Sequence, residues 1–175
     1  MSLDTYPHDL KLIVGYTARE HLLLDLDDTS LPKIVALTVM LLENYPELGH
    51  CQIMQSSREK GASFTRINKK GIPRLHLPKP SYHLIFDNDV GYKRCWEIVQ
   101  TLIDLGLQPR AVRQIRARRR DMTLRVSPSV YSTGIKPAPE PIMQILDIYS
   151  NRSDGRIKDY NRFYHKVNDF FNHSH

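Results

Sequence analysis

Apolar positions follow two rhythms along this chain, and the points where the rhythm changes divide it into elements. Leu10 to Val14 is a short apolar run that predicts a strand, with a turn over Thr17 to Glu20. Leu22 to Leu26 is apolar on both faces, which predicts a strand central in a sheet. From Ser30 the spacing becomes helical. Ile34, Leu37, Leu41 and Leu42 share a face, Ser30 suits an N-cap and Pro32 the first turn, and Pro46 and Gly49 end the helix after Tyr45. Cys51 to Gln55 predicts a strand. Phe64 to Ile67 and Arg74 to Leu77 suit either a hairpin around Lys69-Lys70-Gly71 or a basic loop, and Ser81 to Phe86 is again a strand. Gly91 to Leu105 reads as a helix, with Trp96, Val99, Leu102 and Ile103 on one face and Gly106 beyond its end. Met122 to Val126 alternates as a strand, and Pro128 to Pro141 is a proline-rich connection. Two short helices are expected after it, Pro141 to Tyr149 and Asp159 to Phe171.

This order predicts an α+β fold, a mixed or antiparallel sheet with flanking helices. Residues 1–130 would form the main domain, with residues 131–175 packed on it.

Composition narrows the class. Of 175 residues, 41% are hydrophobic and 25% charged, the balance of a globular protein with a real core. No apolar run approaches the roughly 18 residues that span a bilayer, so no membrane partner is expected. The N-terminus lacks the zones of a secretory signal. Two cysteines, Cys51 and Cys95, cannot build a disulfide framework or a four-cysteine zinc site, which points to a cytoplasmic setting. The net charge of +6 favours a polyanionic partner. Six arginines crowd together, Arg110, Arg113, Arg116, Arg118, Arg119 and Arg120, and suit either phosphate contacts or the solvated face of a helix.

Alternation then isolates candidate chemistry. In a strand, residues i and i+2 project to one face, so Asp25 and Asp27 would stand together. Two adjacent carboxylates repel unless a cation lies between them, and oxygen donors suit Mg²⁺ or Mn²⁺. The plainer alternative is an acidic strand end that caps the next helix. Ser81 and His83 repeat the spacing, and Asp121, Thr123, Arg125 and Ser127 share a face of a later strand, which by itself would be a half-exposed polar face. If the three faces coincide, Asp25, Asp27 and Asp121 could hold two metals across an in-line displacement. Ser81, His83 and Arg125 would then bind a triphosphate.

Asp25-Leu26-Asp27, then Ser81-Tyr82-His83-Leu84-Ile85-Phe86, then Asp121 opening a strand resembles the three motifs of the archaeo-eukaryotic primase (primase-polymerase) superfamily, most closely its small mobile-element and viral members. The resemblance spans residues 20 to 128, although Arg120 stands where the third motif carries an apolar residue. It implies an RRM-like catalytic core, and synthesis of primers or extension of DNA on a single-stranded template. Nucleoside triphosphates and Mg²⁺ or Mn²⁺ would be required, and a helicase or other replication protein would be a partner. Asp25, Asp27 and Asp121 would be catalytic metal ligands, and Ser81, His83 and Arg125 nucleotide-binding. Nucleic acid would meet Arg113, Arg116, Arg118, Arg119 and Arg120.

Leu22 to Thr29 also resembles the first motif of haloacid-dehalogenase-like phosphatases, with Asp25 as nucleophile, Asp27 as acid/base and Ser56 as a second motif. A third reading is a non-catalytic, basic nucleic-acid-binding replication accessory protein, with Tyr82, Tyr92 and Trp96 as stacking residues.

Overall fold

The computed structural model describes residues 13–27, 29–57, 64–67, 70–76, 80–107, 121–131, 134–148 and 150–173. The fold is α+β, with antiparallel sheets and flanking helices. The main sheet has four strands, β2 (His21–Leu26), β3 (Cys51–Ser57), β6 (Ser81–Asp89) and β10 (Glu140–Ile145), in the order β10-β3-β6-β2. β2 and β3 lie on either side of β6 and are joined through helix α1 (Leu31–Asn44), a split β-α-β arrangement. Three two-stranded ribbons complete the strands. They are β1 (Gly15–Ala18) with β7 (Met122–Arg125), β4 (Phe64–Ile67) with β5 (Pro73–His76), and β8 (Ser129–Tyr131) with β9 (Gly134–Lys136). Helices α2 (Tyr92–Asp104) and α3 (Arg156–His173) are the other long elements.

Register explains the core. Leu24 of β2, Leu84 of β6 and Ile53 of β3 form one row across the sheet. Leu23, Ile85 and Gln52 form the next row, on the opposite face. Both faces are buried, and Leu22, Leu23 and Leu24 are all inaccessible to solvent. Each such leucine contributes roughly 1.5–3 kcal/mol. Among the described residues β2 pairs with β6 alone, so it is an edge strand rather than the central one its composition predicts. Its apolar run is accounted for by layers instead of neighbours, since α2 packs on β2 from one element and β7 from another.

The segment 141–149, expected as a helix, begins as strand β10 paired with β3. Pro141 is tolerable there because β10 is an edge strand and the register shifts between Pro141 and Met143. The predicted strand over Leu10 to Val14 begins outside the described residues. Two expected turn residues, Thr17 and Ala18, belong to β1. The hairpin around Lys69-Lys70-Gly71 is present. The chain reverses after the 3₁₀ turn at Pro46–Leu48 through Gly49, at φ +73°, where a Cβ would lie 2.6 Å from the Asn88 amide. Residues after 131 pack on the same body, because β10 extends the main sheet and α3 lies against β6. No helix among the described residues is long and apolar enough to cross a membrane.

Candidate functional site: the cleft at the end of strand β2

Asp25 faces His83 directly across the β2–β6 ladder, and the row continues to Met54 on β3. The Oδ1 of Asp25 lies 3.5 Å from Nε2 of His83. The imidazole is 3% exposed, whereas the Asp25 side chain is 54% exposed because β2 is the sheet edge. The apolar run before it does not carry Asp25 into the interior. Ser81 lies two residues before His83, on the same face, and is buried.

The chain leaves β2 at Leu26 and exposes Asp27. The Thr29 amide then donates to the Pro80 carbonyl at 3.0 Å, which pins this turn beside the start of β6. Asp25, Asp27, Thr29 and Lys33 line one cleft of about 240 Å³ whose apolar wall is Leu26, Ile34, Leu37 and Leu107. That is smaller than the ~300–1,000 Å³ of an ordinary organic-ligand pocket. It suits a hydrated cation with part of a phosphorylated ligand. Lys33 was not singled out by motif. It arrives because α1 begins at Leu31, so the helix's first turn stands beside the strand end that carries the aspartates.

Asp121 lies elsewhere. It borders a much smaller cleft with Arg19, Tyr92, Cys95, Trp96 and Met122. β7 pairs with β1, matching Met122 to Ala18, so Asp121 lies by the β1–β2 corner, away from the Asp27 end of β2. β7 buries Met122 and Leu124, and Thr123, on the opposite face, meets the hydroxyl of Thr17 at 2.8 Å. Among the described residues no group of three or more His, Cys, Asp or Glu side chains is arranged to hold a metal ion. The donors at the cleft are therefore two carboxylates with an imidazole adjoining one of them. This set suits Mg²⁺ or Mn²⁺, which bind through one or two carboxylates while keeping waters and substrate oxygens.

Arg125 points its guanidinium at backbone. Nη2 donates to the Ser56 carbonyl at 2.8 Å, and Nη1 to Pro137 at 2.9 Å and to Ser127. These bonds tie β7 to β3 and to the segment before β10. Arg113, Arg116, Arg118, Arg119 and Arg120 lie outside the described residues.

A second polar cluster, which motif reasoning missed, occupies the other end of β6. Buried Asp87 accepts the Ile157 amide at 3.0 Å and the Ser153 hydroxyl, capping the start of α3. Asp89 takes the Arg156 guanidinium, with Nε at 2.9 and 3.0 Å from its two oxygens. The Asp154 carboxylate accepts the Asp89 amide at 2.8 Å, and the Asp154 amide donates to Asn88 at 3.1 Å. His21 sits 3.9 Å from Asp89, and burial holds its imidazole down at about 4 despite that carboxylate. The acidic Asp-Asn-Asp run of residues 87–89 was the available sequence signal, but the partners of its two carboxylates lie more than 60 residues away.

No protein-family model, curated protein or solved structure matches this chain.

Proposed function

We propose that the cleft at the end of β2 is a divalent-cation site for nucleotidyl transfer of the primase-polymerase kind, acting on nucleoside triphosphates with a single-stranded DNA template. The observation that carries the reading is the cross-strand pair of Asp25 and His83, with Asp27 and Lys33 lining the cleft beside it. Asp25 and Asp27 would hold Mg²⁺ or Mn²⁺. When bound, the cation supplies charge to phosphoryl oxygens and polarises the phosphorus they surround. His83, fixed by burial, would orient the Asp25 carboxylate. Lys33 would offset the charge that develops on the leaving phosphates. Asp121 is not part of this two-carboxylate version, and Arg125 braces the fold.

The phosphatase reading uses the same aspartates but gains less. Ser56 is buried within β3, is not among the residues lining the cleft, and gives its carbonyl to Arg125.

The test incubates the full chain with labelled nucleoside triphosphates, a single-stranded DNA template and Mn²⁺ or Mg²⁺. Expected is incorporation that falls at least about 100-fold in Asp25→Ala and Asp27→Ala. Incorporation that survives Asp25→Ala would sink the proposal. Phosphomonoester hydrolysis lost in the same variant would favour the phosphatase. DNA binding that ignores the substitution, with no turnover, would favour the accessory protein.

A further inference from the structure

Helix α3 carries a basic ridge on the side that faces away from the core. Ile157, Tyr160 and Phe171 bury one side of the helix, and the opposite side is exposed. Lys158, Arg162, Lys166 and Phe170 recur there at every fourth position, a continuous row about 18 Å long. Phe170 is 58% exposed. Among the described residues Lys158, Arg162 and Lys166 make no ion pair. Of the helix's two acids, Asp159 is paired with Arg156, and Asp169 lies one turn beyond Lys166. The row is therefore net positive.

The fold aims this row at the end of the sheet that carries the cleft. Asn161 exchanges two hydrogen bonds with Gln52, at 2.7 and 2.9 Å. Gln52 stands two residues before Met54 on β3, so α3 covers the sheet face that bears the Asp25–His83–Met54 row. The helix starts at Asp87, near the end of β6, passes Gln52 opposite Ile85, and reaches Pro139, whose carbonyl takes the Tyr164 hydroxyl at 2.6 Å. The next residue, Glu140, is opposite Gln55, which is opposite Tyr82. Thus α3 runs from the Asp89 end of β6 toward its Ser81 end.

Charge and spacing select the occupant. Each step along the row advances roughly 6 Å, on the order of the step between phosphates of an extended single strand. Phe170 closes the row with a ring on which a base can stack. A bilayer would need the apolar side of the helix, which is already buried in the fold. We propose that Lys158, Arg162 and Lys166 hold the phosphate backbone of single-stranded DNA along α3, with a base stacked on Phe170. The choice of a single strand rests on the reading of the cleft as a nucleotidyl-transfer site.

The experiment measures fluorescence anisotropy of a labelled oligothymidylate with the full chain over a salt series. A Lys158→Gln/Arg162→Gln/Lys166→Gln variant, checked for folding by circular dichroism, should bind at least about tenfold more weakly. Its slope of log Kd against log salt should fall by about 2, at roughly 0.7 per phosphate contact on a single strand. Lys158→Arg/Lys166→Arg should bind as the wild type does, which separates charge from damage to the helix. Phe170→Ala should cost at least about fivefold with the salt slope unchanged. Binding that depends on the row while the wild type incorporates no nucleotide would keep this site and sink the reading of the cleft. The proposal is overturned if the wild type does not bind the oligonucleotide, or if the triple variant keeps its affinity and slope. Preference for duplex over single strand would also overturn it, as would row-dependent binding to phosphatidylserine vesicles with none to DNA.

Discussion

Asp25 and His83 oppose each other across β2 and β6 with 3.5 Å between carboxylate and imidazole, yet one is half exposed and the other almost wholly buried. The asymmetry comes from the sheet edge. β6 is covered by neighbours on both sides, while β2 has a described partner on one side alone. The imidazole is thereby fixed in place, and the carboxylate is exposed at the cleft.

Asp25→Asn should therefore separate binding from folding. The side chain is exposed, so the urea midpoint should move by no more than the equivalent of about 0.5 kcal/mol. Mn²⁺ affinity, followed by the electron paramagnetic resonance signal of free Mn²⁺, should weaken at least about tenfold, on the scale of losing one charged ligand. Unchanged affinity would remove the cation from the cleft.

His21 should make the protein acid-sensitive. Burial lowers its folded value from 6.5 to about 4, so the unfolded chain takes up the proton first as pH falls. Its contribution is complete above about pH 6.5 and is lost as pH descends through 4. The gap corresponds to about 3 kcal/mol at roughly 1.4 kcal/mol per pH unit. Urea titrations at pH 7.5 and 4.5 should show the wild type losing about 2–3 kcal/mol more than His21→Leu. Equal losses would show that other groups govern the acid limb.

Asp87→Ala should loosen α3. It removes a buried acceptor from the Ile157 amide and the Ser153 hydroxyl together, a cap loss that leaves the buried Ile157 amide unsatisfied. The expected cost is about 2–4 kcal/mol in chemical denaturation. Amide exchange in the first turn of α3 should accelerate before that of β6, and a uniform acceleration would argue against a local cap.

Tyr160→Phe should go the other way. The Tyr160 hydroxyl is buried and has no hydrogen-bond partner among the described residues, and burial pushes its ionisation upward. Its ring packs edge-on against Tyr16 at 5.1 Å between centroids, a contact that Phe keeps. Thermal unfolding should show no loss and a gain of up to about 1 kcal/mol. A loss above about 1 kcal/mol would mean that the hydroxyl has an ordered water.

Local periodicity made much of the fold legible. The α1 and α2 helices and strands β2, β3, β6 and β7 lie where apolar spacing predicts them, within a few residues, and the β4–β5 hairpin is one of the two alternatives that stretch left open. Alternation put Asp25 and Asp27 on one face of their strand and Ser81 and His83 on one face of theirs, and adjacent pairing set Asp25 opposite His83. The expected helix at 141–149 failed for a physical reason. Its apolar residues, Ile142, Met143, Ile145 and Ile148, fit either period in so short a run, and the open edge of β3 decided for a strand.

The sequence by itself determined which residues share a strand face or a helix face, because those relations repeat over two to four residues. It determined the acidic strand end at Asp25 and Asp27 in the same way. Only the tertiary structure decided which strands became neighbours. β7 chose β1, and so Asp121 stands by Arg19 and Trp96 rather than beside Asp25. Arg125 turned to the carbonyls of Ser56 and Pro137, and Asp89 found Arg156 from the far end of the chain. Strand pairing and long-range ion pairs are set by the total burial and hydrogen bonding of distant segments, so a one-dimensional pattern specifies the face that a side chain occupies but not what it meets there.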